Sequence, residues 1–179
     1  MKSLSLADHI KSVSFDIDGT VYPMRKMELR WWKNFFTGPG DAIRFFQIKK
    51  AWEKRRKGSR TVDVSPEDVI FFEDFLTSMM DESLVPQDIR DLLQSLKVKL
   101  YFLSDHGAKA KLTRLGLSSF GTPINCLSET GELKPHPEIS RLLISSYGIN
   151  PRTHLHLGDR WSDEEQARLF GCDFQYFKA

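Results

Sequence analysis

The sequence predicts an α/β fold built on a mostly parallel sheet, with a small helical lobe inserted after the first strand. Three observations carry this expectation. From Val98 to the end, short apolar segments alternate with helical ones, the pattern of βα units feeding a parallel sheet with helices on both faces. An earlier β-prone run, Ser12 to Val21, is separated from the next strand by roughly seventy-five residues of helical pattern, far more than a crossover needs. With 179 residues, 40 % of them hydrophobic, the chain can bury one sizeable core and a small lobe, but two full domains would be crowded.

In chain order, the first strand takes Val13, Phe15 and Ile17 as its apolar positions, and Asp16 and Asp18 leave one face of the chain at its exit. Gly19 permits a positive φ and hence a sharp turn directly after the two carboxylates. After Val21-Tyr22-Pro23 the period becomes helical, with Trp31, Trp32, Phe35 and Phe36 forming an apolar stripe that stops at Thr37-Gly38-Pro39-Gly40. Asp41 reads as the N-cap of a second helix through about Lys57, ended by Gly58-Ser59. Ser65-Pro66-Glu67-Asp68 carries an N-cap, a proline at the first helical position and early acidic residues, starting a third helix through about Met80. Pro86-Gln87-Asp88 opens a fourth, to about Leu96. The βα alternation then runs Val98–Leu103 strand, Ala108–Leu115 helix, Pro123–Leu127 strand, Pro137–Tyr147 helix, His154–Leu157 strand, Asp163–Phe170 helix and Phe174–Phe177 strand.

Composition excludes several classes. Charged residues at 28 % and aromatics at 12 % fit a globular chain and neither a disordered nor a collagen-like one. The N-terminal stretch is broken by Asp8 before an apolar run develops, which argues against a secretory signal, and no apolar run approaches membrane-spanning length. Cys126 and Cys172 lie in apolar β-like segments, as expected of buried thiols in a reducing compartment, so a cytoplasmic location is expected. Net charge is +2 but uneven: residues 22–62 hold twelve Lys/Arg against three Asp/Glu, leaving the remainder acidic. Such asymmetry points to a ligand or partner. The basic run Lys49 to Lys57 suits a solvated helix face or the attraction of anionic substrates better than nucleic acid, and the nearby aromatics suit a lobe core better than a base-stacking platform.

Ligands of open parallel sheets collect beyond the carboxyl ends of the strands. The first strand ends on Asp16 and Asp18, the second on Ser104-Asp105 and the fourth on Gly158-Asp159 with Asp163 following, while Lys134 precedes a helix. One sheet edge thereby gathers carboxylates, a hydroxyl and an ammonium. Close carboxylates repel unless they share a proton or a hard divalent cation with oxygen ligands. The histidines His106, His136, His154 and His156 show no metal-ligand spacing, and His156 reads as a core residue.

Asp16-x-Asp18-Gly19-Thr20, the hydrophobic strand ending in Ser104, Lys134-Pro135-x-Pro137 and Gly158-Asp159-x-x-x-Asp163 resemble, in order, the four motifs of the haloacid dehalogenase-like (HAD) superfamily. The resemblance covers nearly the whole chain. It implies a Rossmann-like core, residues 1–21 and 91–179, with a helical cap of type C1 over about 22–90. It also implies a Mg²⁺-dependent phosphomonoester hydrolase acting on a small phosphorylated metabolite through an aspartyl phosphate. On that reading Asp16 is the nucleophile and Asp18 the acid and base. Asp16, Asp159 and the backbone carbonyl of Asp18 hold Mg²⁺, Ser104 and Lys134 hold the phosphate, and Asp163 supports Lys134 or a metal-bound water from behind. Trp161 departs from the small polar residues usual inside the fourth motif, and a ring there would wall the metal site or pack under the cap. The alternatives of the same fold are a phosphosugar mutase and a non-catalytic binding protein using its basic cap. A dehalogenase has no use for an acid at Asp18, and a phospho-accepting receiver module lacks both the long insertion and the Asp-x-Asp-Gly-Thr run.

Overall fold

The computed structural model describes residues 4–56 and 64–179, the side chains of Asn34, Thr37 and Arg56 excepted. The chain divides into two compact units, Met1–Pro23 with Asp81–Ala179, and Met24–Met80. The first unit is built on five parallel strands in the order β3-β2-β1-β4-β5: β1 Ser12–Asp16, β2 Lys99–Ser104, β3 Thr122–Asn125, β4 His154–Gly158 and β5 Asp173–Tyr176. The first strand in sequence thus lies at the centre, between β2 and β4, where both of its faces are covered. Val13, Phe15 and Ile17 are fully buried as expected. Phe15 stacks on Phe102 at 6.0 Å and meets Phe177 edge-on at 6.0 Å.

The opposite face of β1 is also buried, although it carries Ser12, Ser14 and Asp16. Parallel register sets Ser12 beside His154 and Ser14 beside His156 on β4. The polar groups satisfy one another: Ser12 Oγ and His154 Nδ1 lie 2.7 Å apart, Ser14 Oγ lies 2.8 Å from His154 Nε2 and 2.7 Å from His156 Nδ1. His156 is a buried residue, as its place in the strand predicts, and His154 is buried with it. Farther along the same face, Tyr101 and Leu103 join a cluster with Ile139 and Leu143 of helix α7 (Pro137–Ser145) and Phe170 of helix α8 (Trp161–Phe170), numbering helices in chain order.

This seam makes stability pH-dependent. Burial, with His156 beside it, pushes His154 down to about 3. An unfolded His154 takes up a proton below about pH 6.5 that the folded one refuses, so acidification favours unfolding. Between pH 6.5 and 5 the loss from this residue alone is about 2 kcal/mol. Melting temperatures of the parent and of His154→Asn, taken at pH 7 and 5, are expected to show a flatter profile for the variant. Equal slopes would contradict the assignment. The comparison with the parent matters because Asp16, discussed below, titrates in the opposite sense.

The remaining helices of this unit are α4 (Gln87–Ser95), α5 (Ala108–Arg114) and α6 (Cys126–Thr130). Three boundaries differ from the sequence expectation. Residues 81–90, expected in the inserted lobe, group with the sheet unit: Leu84 and Ile89 are fully buried, and Arg90 Nη2 donates to the carbonyls of Glu82 and Leu115, both at 2.9 Å. The third strand stops at Asn125 and not Leu127, because Glu129 Oε1 reaches back to the Asn125 N–H at 2.8 Å and starts α6 there, so Cys126 is helical. α8 begins at Trp161, two residues before Asp163, whose carboxylate accepts from the Arg160 N–H at 3.2 Å.

The second unit holds α1 (Met24–Thr37), α2 (Pro39–Arg56) and α3 (Pro66–Ser78). α2 starts at Pro39, and the expected cap Asp41 lies in its first turn. Its core is aromatic: Phe45 stacks on Phe72 at 4.4 Å, Trp52 meets Phe72 edge-on at 4.3 Å, and Trp31 lies 5.4 Å from Phe45. Such pairs add about 0.5–1.5 kcal/mol each beyond area burial. In the basic run Lys54 is exposed and Arg55 half-buried, while Lys57 lies outside the described residues. Trp32 and Phe36, expected on an apolar stripe, are exposed. Both cysteines are free thiols, Cys126 buried and Cys172 partly so. Among the described residues no helix is long and apolar enough to cross a membrane.

Candidate active site

Every sequence-predicted site residue lies at the carboxyl edge of the sheet or on the segments that leave it, and two hydrogen-bonded clusters result. The first is centred on Lys134, whose ammonium is buried. Its three N–H groups go to Asp16 Oδ1 at 2.6 Å, Asp163 Oδ1 at 2.7 Å and the Leu103 carbonyl at 3.3 Å, which satisfies the cation completely. Asp105, read from the sequence as structural, fixes the lysine's backbone by accepting from the Lys134 N–H at 2.8 Å. Burial alone would lower the Lys134 pKa, but Asp16, Asp163 and Asp105 raise it well above its ordinary value.

Asp159 stands across from Asp16. Its Oδ1 is buried without a hydrogen-bond donor among the described residues, the nearest cation being Arg160 Nε at 3.6 Å. Oxygens of Asp16, Asp159 and Asp163 lie within 4.8 Å of one another. Gly19, at φ 92°, makes this approach possible: a Cβ there would lie 2.4 Å from Asp159 Oδ2. Burial together with Asp163 and Asp18 pushes Asp16 up to about 7 against the pull of Lys134, and burial raises Asp159 despite Arg160. Asp163 moves the other way, since Lys134 and His156 outweigh its burial and hold it below the usual carboxylate range. An unpartnered buried oxygen and a crowded carboxylate with a raised pKa are what a missing divalent cation leaves behind, so the donor set fits a hard metal held by Asp16 and Asp159.

The second cluster is centred on Asp18, whose side chain lies outside that oxygen group. Lys111 Nζ donates to its Oδ2 at 2.5 Å and Tyr22 OH to its Oδ1 at 2.5 Å. Lys111 also donates to Ser104 Oγ at 2.9 Å, and the Ser104 hydroxyl donates to the His106 carbonyl at 3.0 Å. Burial would raise Asp18, but the Lys111 charge and the bonds from Lys111 and Tyr22 hold it at about 2. Ser104 is therefore tied to Lys111 and Asp18, whereas Lys134 serves Asp16. Lys111 and Tyr22 were not assigned to the site from the sequence. The available signal was Lys111's place on the α5 stripe of Ala108, Leu112 and Leu115, all buried, where an apolar residue is the rule. Trp161, where a wall was expected, is 57 % exposed at the start of α8.

Four carboxylates here, Asp16, Asp18, Asp159 and Asp163, face three cations, Lys111, Lys134 and Arg160. Such an edge, a nucleophilic carboxylate backed by lysine at the end of a central parallel strand, defines a class of α/β hydrolytic sites. A family model for haloacid dehalogenase-like hydrolases matches residues 10–171, and the chain belongs to that family. Among solved structures it is similar to the Bacillus subtilis protein YfnB, a HAD-hydrolase by assignment described bound to magnesium, at 18 % identity and TM-score 0.70, covering 92 % of this chain and 85 % of that one. L-2-haloacid dehalogenase from Xanthobacter autotrophicus matches at 20 % identity and TM-score 0.64, covering 92 % and 76 %. A phosphoglycolate phosphatase by assignment from Lactobacillus plantarum matches at 17 % identity and TM-score 0.66, covering 94 % and 86 %. At these identities the likeness concerns the fold. No curated protein matches the chain.

Proposed function

We propose that the protein is a Mg²⁺-dependent phosphomonoester hydrolase that works through an aspartyl phosphate on Asp16 and acts on a small phosphorylated metabolite. The observation that carries this reading is Asp16 itself: a carboxylate at the end of the central strand with one oxygen fixed by Lys134 at 2.6 Å. Lys134 orients the carboxylate so that Oδ2 attacks phosphorus while the ester oxygen departs, and Asp18 gives that oxygen its proton. Water then attacks phosphorus, Asp18 takes the water's proton, and the Asp16–phosphorus bond breaks to release inorganic phosphate. In the resting site Asp18 is held ionised. An incoming phosphate dianion brings like charge beside Asp18 and competes for Lys111, and both effects raise the Asp18 pKa towards the acid form that the first step needs. Ser104 and Lys134 hold phosphoryl oxygens, and Asp163 keeps Lys134 in place.

The net negative edge would repel an anionic substrate, which is the second reason to infer a cation. Asp16 and Asp159, with the Asp18 carbonyl, would hold Mg²⁺, which supplies Lewis-acid neutralisation of phosphoryl charge. We also infer that the helical unit, with its basic excess over residues 22–62, serves as the cap that selects the substrate. The acid at Asp18, fixed by two donors, favours this reading over halide displacement, which needs no proton at the leaving group. The direct test is phosphate release from a panel of phosphate monoesters with and without Mg²⁺. No release under either condition would overturn the reading.

The metal is tested separately by melting. A ligand bound at a hundred times its dissociation constant stabilises the native state by about 2.7 kcal/mol. Mg²⁺ is expected to raise the melting temperature of the parent, and Asp159→Asn is expected to remove most of the shift. A shift unchanged in the variant would take Asp159 out of the metal site.

A further inference from the structure

The inference drawn here rests on the proposed hydrolysis and concerns Lys111, which the four motifs leave without a role. Its side chain is 1 % exposed, on a helix whose neighbouring Lys109 is exposed. Burying an ammonium costs several kcal/mol before pairing, and apolar replacements of buried ion pairs are commonly neutral or stabilising. Packing alone therefore gives no reason for a lysine on this stripe. Its contacts give one. A single ammonium bridges Asp18 Oδ2 at 2.5 Å and Ser104 Oγ at 2.9 Å, two groups that leave different strands.

Both partners are then held from two sides. Asp18 is bonded at Oδ2 by Lys111 and at Oδ1 by Tyr22, so its carboxylate cannot rotate without losing a charged or phenolic donor. Ser104 Oγ accepts from Lys111 while its proton goes to the His106 carbonyl. The chain Tyr22–Asp18–Lys111–Ser104 thus couples the group that handles the leaving-group proton to the hydroxyl that holds the phosphoryl oxygens. The third N–H of Lys111 has no acceptor among the described residues. We propose that Lys111 is a positioning residue of the reaction, which fixes Asp18 and Ser104 as one unit so that a phosphate seated on Ser104 presents its ester oxygen to Asp18.

If Lys111 acts through Asp18, its removal must hurt esters in proportion to their need for a proton on the leaving oxygen. The test compares an alkyl phosphate, β-glycerophosphate, with p-nitrophenyl phosphate, whose leaving group departs without help. Parent, Lys111→Met, Asp18→Asn and the double variant are measured on both esters. Lys111→Met is expected to lower kcat for the alkyl ester about a hundredfold, within the range of general acid catalysis, with less than about tenfold loss on the nitrophenyl ester and little change in KM for either. In the Asp18→Asn background the same substitution should cause no further loss of selectivity between the two. Equal losses on both esters, or an undiminished effect without Asp18, would overturn the proposal and make Lys111 a structural residue.

Should Lys111→Met fail to fold, Lys111→Gln keeps a donor and decides the same ratio with a smaller change. If the parent hydrolyses neither ester, the proposed function falls. Lys111 is then decided by melting: Lys111→Met must lower the melting temperature less in the Asp18→Asn background than in the parent, and equal decrements refute the bridge.

Discussion

Asp16→Asn is expected to abolish phosphate release, by about four orders of magnitude or more, in a protein that melts no lower than the parent. The two halves of this result have one cause. Asparagine has the shape of aspartate and still offers Lys134 an acceptor where Oδ1 stands at 2.6 Å, but it brings no charge to attack phosphorus. The charge it removes is one that the folded protein resists: burial and the neighbouring carboxylates Asp163 and Asp18 push Asp16 up to about 7. A carboxyl whose folded pKa lies above its unfolded one stabilises the fold below the unfolded pKa, and that contribution disappears as the pH rises through the folded value. Without metal, the parent is thus expected to lose stability between about pH 4 and 7 from this group, and the variant is not. Phosphate release and melting in the presence of a chelator check both halves. Substantial turnover in a folded Asp16→Asn protein would show that another group attacks.

How much of this was legible in the sequence differs between backbone and side chains. The strand and helix order was legible because apolar periodicity and strand-end residues are local signals, and the motif residues at the sheet edge followed from them. Strand order was not, because nothing near Ser12 states that His154 and not Asp173 will be its neighbour. The seam of Ser12, Ser14, His154 and His156 exists only through that register. The site divides in the same way. Asp16, Asp18, Ser104, Lys134, Asp159 and Asp163 could be named from spacing, but which lysine serves which carboxylate depends on α5 lying against β2 and β3. Lys111 therefore reads as one more surface lysine in Ala108-Lys109-Ala110-Lys111 until the helix is placed. The 22–90 limits of the lobe failed at one end for a similar reason. Helical pattern continues through Pro86–Leu96, and only the burial of Leu84 and Ile89 shows that this stretch belongs with the sheet.

Lys134→Met is expected to be the most destabilising single change at the site, and its pH profile identifies the cause. Methionine fills the space of the lysine stem but leaves Asp16 Oδ1, Asp163 Oδ1 and the Leu103 carbonyl without the donor they share. Removing one partner of a buried ion pair costs about 3–5 kcal/mol, because the other charge is left buried and unpaired. Here two carboxylates are left, so the upper end of that range applies near pH 7. Asp163 is held below the usual carboxylate range in the parent, chiefly by Lys134 against its own burial. A depressed folded pKa contributes stability that is present above the unfolded carboxylate pKa and lost only as the pH falls through the folded value. Without the lysine, burial dominates and both carboxyls shift upward, so they take up protons on mild acidification and the unpaired charge disappears. The stability gap between parent and Lys134→Met, measured by urea unfolding, should therefore be widest near pH 7 and narrow towards pH 5. A gap that stays constant over that interval would mean that lost packing, not unpaired carboxylates, carries the effect. Phosphate release should fall in the folded variant at every pH, because Asp16 has lost the group that orients it.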